Sequence, residues 1–557
     1  MKKLFITAIV ITAIIYNILA QRADQYRPRK NTPSRYPVTI RNPLNAYGTN
    51  SVLVPHWADG LSVGNLDSSA NWQEMSGLAT PNLAANSTYL WAISDAPANM
   101  IAMVKASDAT NQGVLTLTGQ TAMIDLEDIE SATVSGVNYL YGMDFGNNGN
   151  GVDSRGAGID LRIFRVVEPT VTGSNISTSD FIEINCAFPG VNGPTLRDCE
   201  ATIVDSAGKI WIITKRDATQ KVYSLAHAAT YTGTQTLVYE GAMTSLPAST
   251  TVALTTTPCY AVDAAMNKLG TEILVKNYSD IYYFSRNPAT QTVIQALQGT
   301  ATAVPAYVGG GSTSPKTSHP NAEPQGEGIC YSYDGRDLYS TSEYVATEGS
   351  TPTQYPLFKY VRCSAVPTTI SFQDGVFPTG AYAGTRDTYI WGTTPTTARG
   401  TETTIVLDIT VGTPTDDRKS LVKWDLSSIP TNAVIIGAKM EWWITAEGQG
   451  WIWYRAMQTW DETSTYTSLG GPISNNGVFA AIAESSRNGV NLDTVTNVIA
   501  RDNIIVSDVQ TMVANPSQNY GWFGVNSDAA TGDGHQFDSR EGITAARRPK
   551  LTVRYIP

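Results

Sequence analysis

Short apolar runs dominate the chain, each four to eight residues long, rich in β-branched and aromatic side chains and closed by Gly, Asn, Asp or Ser. Stripes with a helical period are scarce, so the pattern predicts an all-β protein. Within it one idea recurs: an acidic residue, then a short apolar strand, then a Gly or Asp turn. It appears at Glu74-Met75-Ser76-Gly77-Leu78, at Glu127-Asp128-Ile129, at Asp198-Cys199-Glu200-Ala201 and at Glu327-Gly328-Ile329, with a variant at Cys259-Tyr260-Ala261-Val262-Asp263. The openings are 53 residues apart (74 to 127), then 73 (127 to 200), then about 60 to 66. That spacing suits the four-stranded blade of a β-propeller with some long loops. Five readable openings, with strand-like sequence left over at both ends, predict five to seven blades, six as the working count. The chain near residues 50–70 is expected to help close the ring.

The organisation that follows is a signal peptide at 1–20, a basic proline-containing linker at 21–48, a propeller over 49–366 and a second β module over 371–557. Lys2 and Lys3 precede an apolar run from Leu4 to Leu19, and Ala20 before Gln21 is a small-residue cleavage point. Export is favoured over a membrane anchor because no stop-transfer pattern follows, so no membrane span is expected after cleavage. Five cysteines, an odd number without CxxC spacing, fit an oxidising compartment and leave structural disulfides or buried thiols open.

Charge narrows the partners. Residues 1–42 carry a net +7, residues 43–370 a net −13 and residues 371–557 a net −5. So acidic a propeller repels nucleic acid and attracts cations. Carboxylates converging from several blades cannot all stay ionised without cations or hydrogen bonds. Glu74, Asp125, Glu127, Glu200 and Glu327 are therefore candidate ligands for Ca²⁺, with Asn147 and Asn148 nearby as further oxygen donors. Structurally, each carboxylate could instead satisfy backbone N–H groups at the start of a blade. Lys215 and Arg165 could bring positive charge to the same funnel. Nucleophilic catalysis has little support: Gly-x-Ser-x-Gly, His-Glu-x-x-His and the phosphate-cradling Gly-x-x-x-x-Gly-Lys are absent. Of the four histidines only His319 falls near a candidate site.

Two stretches resemble known families. Glu74-Met75-Ser76-Gly77, Ser94-Asp95, Asp125 to Ile129, Gly142 to Asn148, Phe164 to Pro169, Asp198 to Ala201, Ile213-Thr214-Lys215 and Gln325 to Ile329 occur in an order that resembles secreted phytase-like and esterase-like propellers. The second resemblance runs through Arg418, Leu421 to Pro430, Thr459-Trp460-Asp461-Glu462, Tyr520-Gly521-Trp522, Phe537 to Glu541 and Arg548 to Val553. These are similar to the DNRLRE type of secreted module. That resemblance implies a β-jelly-roll attached to polysaccharide-processing proteins, some of them alginate binders. Candidate ligand residues are Arg386, Arg418, Lys423 and Arg455, because bidentate Arg suits uronate carboxylates. Trp451 and Trp453, which share a strand face, are the candidate sugar platform, with core packing as the other reading. Trp442 and Trp443 alternate, so one is core and the other open to solvent. Arg540-Glu541 reads as an ion pair internal to its motif.

Three function classes remain: attachment to an extracellular, possibly acidic, polysaccharide; a Ca²⁺-dependent hydrolase or lyase in the propeller; and a structural subunit of an extracellular assembly.

Overall fold

A computed structural model describes residues 55–66, 73–96, 100–121, 123–146, 155–194, 198–247, 260–278, 280–304, 309–310, 323–324, 326–342, 355–408, 417–446, 448–470, 479–491, 499–503, 506–526 and 534–557. The signal-peptide and linker stretches, Cys259, His319, Asn147 and Asn148 lie outside the described residues. Among those described, no helix is long and apolar enough to cross a membrane.

The first part of the chain folds into five antiparallel blades. Their innermost strands are Gln73–Ala79, Leu126–Val134, Cys199–Val204, Asp263–Met266 and Gly326–Tyr331, for blades I to V. Each packs against the next in cyclic order, and the fifth packs against the first, so five blades close the ring among the described residues. The working count of six was one too high. The extra strand-like sequence at the front of the region does not build a blade of its own. Leu61–Leu66 instead pairs with Tyr355–Tyr360 as the outer strand of blade V. The long gap between the second and third openings arises because Ile176–Thr178 leaves blade II and adds a parallel edge strand to blade I.

Five separate apolar clusters hold neighbouring blades together. Trp91, Ile93 and Phe164 lie between I and II, and Tyr141, Ile163 and Tyr223 between II and III. Ile213, Ile273 and Phe284 lie between III and IV, Leu274, Tyr283 and Phe358 between IV and V, and Leu357 with Leu90 and Ala102 between V and I. Inner and middle strands are buried on both faces, which is why they read as continuous apolar runs. Each such side chain contributes about 1.5–3 kcal/mol by burial. A buried carboxylate reinforces the first interface. Glu168 accepts hydrogen bonds from the Asn82 and Leu83 amides at 2.9 and 3.0 Å, from Asn86 Nδ2 at 2.8 Å and from Trp91 Nε1 at 3.2 Å.

From Thr368 the chain forms a two-sheet sandwich. One sheet runs Thr368–Phe372, Lys550–Ile556, Val434–Ala446, His535–Asp538, Thr404–Leu407; the other runs Thr385–Trp391, Arg418–Trp424, Trp522–Asn526, Gln449–Ala456, Phe479–Asn491. Between them lie Trp424, Trp442, Trp451, Trp453 and Trp522, with Trp442 stacked on Trp453 at 4.7 Å. The propeller's leading segment meets the sandwich where Arg554 pairs with Asp59 and donates to the Trp57 carbonyl at 2.9 Å.

Candidate functional sites

The strand openings explain how the propeller's acidic residues reach the axis. Four of the five inner strands break register with their neighbour, at Ser76-Gly77, at Glu127, at Glu200 and at Glu327-Gly328. A bulge leaves its extra residue out of the ladder and re-aims the side chain. Glu127, Glu200 and Glu327 thus gather at one mouth of the channel, 4%, 2% and 4% exposed. Asp125 and Asp198 stand beside them, and Lys215, which follows the strand Ile210–Thr214, inserts its ammonium among them. Lys215 Nζ bonds Glu200 Oε1, Tyr278 Oη donates to Glu327 Oε1 at 2.8 Å, and Ser76 Oγ donates to Glu127 Oε2 at 2.9 Å. Arg216 holds Asp198 at 2.5 Å, and Arg155 holds Asp144 at 2.7 Å one turn away. A Cβ at Gly146 would run into Glu127 Oε1 and Asp125 Oδ2, so a larger residue here would displace both carboxyls. Of the sequence candidates, Asp125, Glu127, Glu200 and Glu327 come together; Glu74 lies on the blade I inner strand, its side chain outside the described residues.

The electrostatics follow from that crowding. Burial pushes the Glu127 carboxyl well above the usual carboxylate range, and Glu200, Asp125 and Glu327 push the same way against Lys215. Burial also raises Glu200, with the Lys215 ammonium opposing it. Desolvation alone would lower Lys215, but Glu200, Asp198 and Glu327 outweigh it and keep the amine protonated. Both carboxyls are therefore raised, Glu200 with a direct counter-charge and Glu127 without one.

Calcium is the ion the sequence leads one to expect here, and three of its expected ligand groups, the Glu74 side chain, Asn147 and Asn148, lie outside the described residues. The ammonium of Lys215 already occupies Glu200, and among the described residues no group of three or more acidic, His or Cys side chains is arranged to hold a metal. Arg165 points elsewhere: it donates to the Ala228 and Ala229 carbonyls at 2.8 and 2.9 Å. Cys186, Cys199, Cys330 and Cys363 are free thiols, the first three buried.

In the sandwich the candidate ligand residues are turned to structural use. Trp451 and Trp453 share a face, but it is the inner one: both are 0% exposed in the core and cannot carry a sugar. Arg386 donates to the Ala383 and Thr385 carbonyls, and Arg418 lies 3.4 Å from Asp408 and over the Trp391 ring. Lys423 donates to the Trp460 carbonyl at 2.8 Å, and Arg455 meets Asp508 at 3.1 Å. Arg540 does pair with Glu541, at 2.7 Å.

Another aromatic is better placed. Alternation sends Trp442 into the core and leaves Trp443 half-buried on the outer side. Trp443 lines a cleft of about 200 Å³ with Phe377, Glu441, Arg547, Arg548 and Lys550. The Arg547 guanidinium lies 4.3 Å over the Trp443 ring, Lys550 pairs with Glu441 at 2.7 Å, and the buried Trp443 Nε1 has no hydrogen-bond partner among the described residues. The sequence signal for this cleft was the Trp442-Trp443 pair; its Arg547-Arg548 partner lies more than a hundred residues on.

A scan against protein-family models finds no match, and neither does a search of curated proteins. Neither the phytase-like nor the DNRLRE resemblance therefore has a matching family model. Among solved structures, the PQQ-bound aldose sugar dehydrogenase of Streptomyces coelicolor is 10% identical with a TM-score of 0.31, covering 56% of this chain and 100% of that one. A nidogen/laminin complex is 9% identical with a TM-score of 0.27, covering 51% of this chain and 84% of that one. Likeness at this level adds nothing to the strand order, which by itself gives the propeller.

Proposed function

We propose that this protein is exported and attaches to acidic extracellular polysaccharide through the Trp443 cleft of its sandwich. One observation carries the proposal: a half-buried indole shares a cleft with three cations and one carboxylate. A sugar ring's apolar face packs on an aromatic ring, and a guanidinium fork takes a carboxylate through two parallel hydrogen bonds. The net −5 of this part of the chain opposes long-range attraction, so the acidic preference must come from Arg547, Arg548 and Lys550 locally. At about 200 Å³ the cleft is smaller than a whole-ligand pocket and suits one residue of a polymer.

The test is retention of the full chain on immobilised alginate, pectate and cellulose. The expected result is retention on the polyuronates, weakened about tenfold in Trp443→Ala and in Arg547→Ala, since a charge-assisted pair is worth about 1.5–3 kcal/mol. No retention on either polyuronate, equal retention on cellulose, or no effect of either variant overturns it.

The channel mouth favours a second reading, acid–base cleavage of the same polymer. Two adjacent buried carboxyls, of which only Glu200 is bonded to an ammonium, stand in unlike surroundings, as the two carboxyls of glycosidic cleavage do. New reducing ends should then appear with wild-type protein and vanish in Glu127→Gln and Glu200→Gln. Absence of reducing ends with wild type on every polymer rejects this reading.

A further inference from the structure

The channel has a second mouth, at the far ends of the inner strands, and it holds a cavity of about 420 Å³. All five blades line it: Thr80 from I, Glu130 and Ser131 from II, Asp205 from III, Lys268 from IV and Tyr331 from V. Its size falls within the range of small-molecule sites, about 300–1,000 Å³. Most of the polar atoms here bond one another: Asn82 Nδ2 donates to Ser131 Oγ at 2.8 Å, and Thr80 Oγ1 to the Tyr331 carbonyl at 2.5 Å.

Two groups are left over. Lys268 sits with Nζ 3.4 Å from the centre of the Tyr333 ring and forms no ion pair among the described residues. Glu130 accepts a hydrogen bond from the Ser131 amide at 3.2 Å and faces the cavity without a cationic partner among those residues. Burial and the Asp128 carboxyl hold Glu130 well above the usual carboxylate range, and burial lowers Lys268 to about 8. The lining mixes Lys268 and Arg286 with Asp205 and the raised Glu130 carboxyl, with hydroxyls and tyrosine rings among them. An anion would meet Asp205, and a cation would meet Lys268 and Arg286.

We propose that this lower mouth binds an uncharged saccharide of one or two rings, held between Lys268 with its Tyr333 ring and Glu130. The site is independent of the Trp443 cleft, so its test uses the full chain carrying Trp443→Ala. Calorimetric titration with glucose and cellobiose, and with glucuronate and glucosamine as charged counterparts, reads it directly. The expected result is saturable binding of a neutral sugar, weakened at least tenfold by Lys268→Met and by Glu130→Leu and retained in Glu130→Gln. Lys268 forms no ion pair among the described residues, so Lys268→Met strands no counter-charge and keeps the test valid if Glu130→Leu fails to fold. No binding of either neutral sugar, tighter binding of glucuronate or glucosamine, or binding unchanged in Lys268→Met overturns the proposal.

Discussion

Removing the ammonium at the channel mouth should have a large, pH-dependent cost. In Lys215→Met, Glu200 stays 2% exposed with no cation bonded to it, whereas Asp198 keeps Arg216. Breaking a buried pair from one side typically costs about 3–5 kcal/mol, because the remaining charge is stranded. At roughly 2 °C per kcal/mol for a domain of this size, the propeller should melt about 6–10 °C lower. The double variant Lys215→Met/Glu200→Gln removes both charges and should recover about 1.5–3 kcal/mol of that loss as coupling. The sign of the pH effect follows from burial. In Lys215→Met the Glu200 carboxyl stays raised with its opposing ammonium gone, so it is protonated at low pH in both folded and unfolded chains. The deficit should be small near the unfolded value of about 4.3 and grow as pH rises. Scanning calorimetry of wild type, both single variants and the double variant between pH 5 and pH 8 decides it. A loss under about 1 kcal/mol, the range of exposed pairs, or a deficit that ignores pH, would refute the reasoning.

Further outcomes are expected. Glu127 also carries a raised carboxyl, so its contribution is present at low pH and lost as pH rises through its folded value. Glu127→Gln should flatten the melting-temperature profile on its alkaline side, which thermal scans across pH will show. Glu168→Ala strands four donors between blades I and II and should cost at least about 3 kcal/mol by urea unfolding, with Glu168→Gln milder. Calcium should shift wild type and Glu127→Gln melting equally in thermal scans, because the Lys215 ammonium already bonds Glu200.

The strands and the converging glutamates were legible because both depend on local sequence. Buried blades give continuous apolar runs, and three of the four bulges place a Glu just before a Gly, Ala or Asp. The blade count was harder to read. Asp263–Met266 opens blade IV without a bulged glutamate, and blade V borrows its outer strand from the front of the region. Such ring closure pairs segments almost three hundred residues apart, which no local pattern records. In the sandwich, period two showed that Trp451 and Trp453 share a face, but not which face is inward. The five-tryptophan core settles that, leaving Trp443 as the outward ring. The basic residues chosen as ligands were correctly placed on or beside strands, yet each finds a carbonyl or carboxylate of its own chain. Tertiary pairing, not strand position, decides which cation is available.

The most direct measurement of the central proposal is a crystal structure of the full chain soaked with a uronate oligosaccharide. One sugar ring should lie against Trp443, with its carboxylate within hydrogen-bonding distance of Arg547 or Arg548. A uronate ordered elsewhere on the sandwich, with the Trp443 cleft empty, would contradict it.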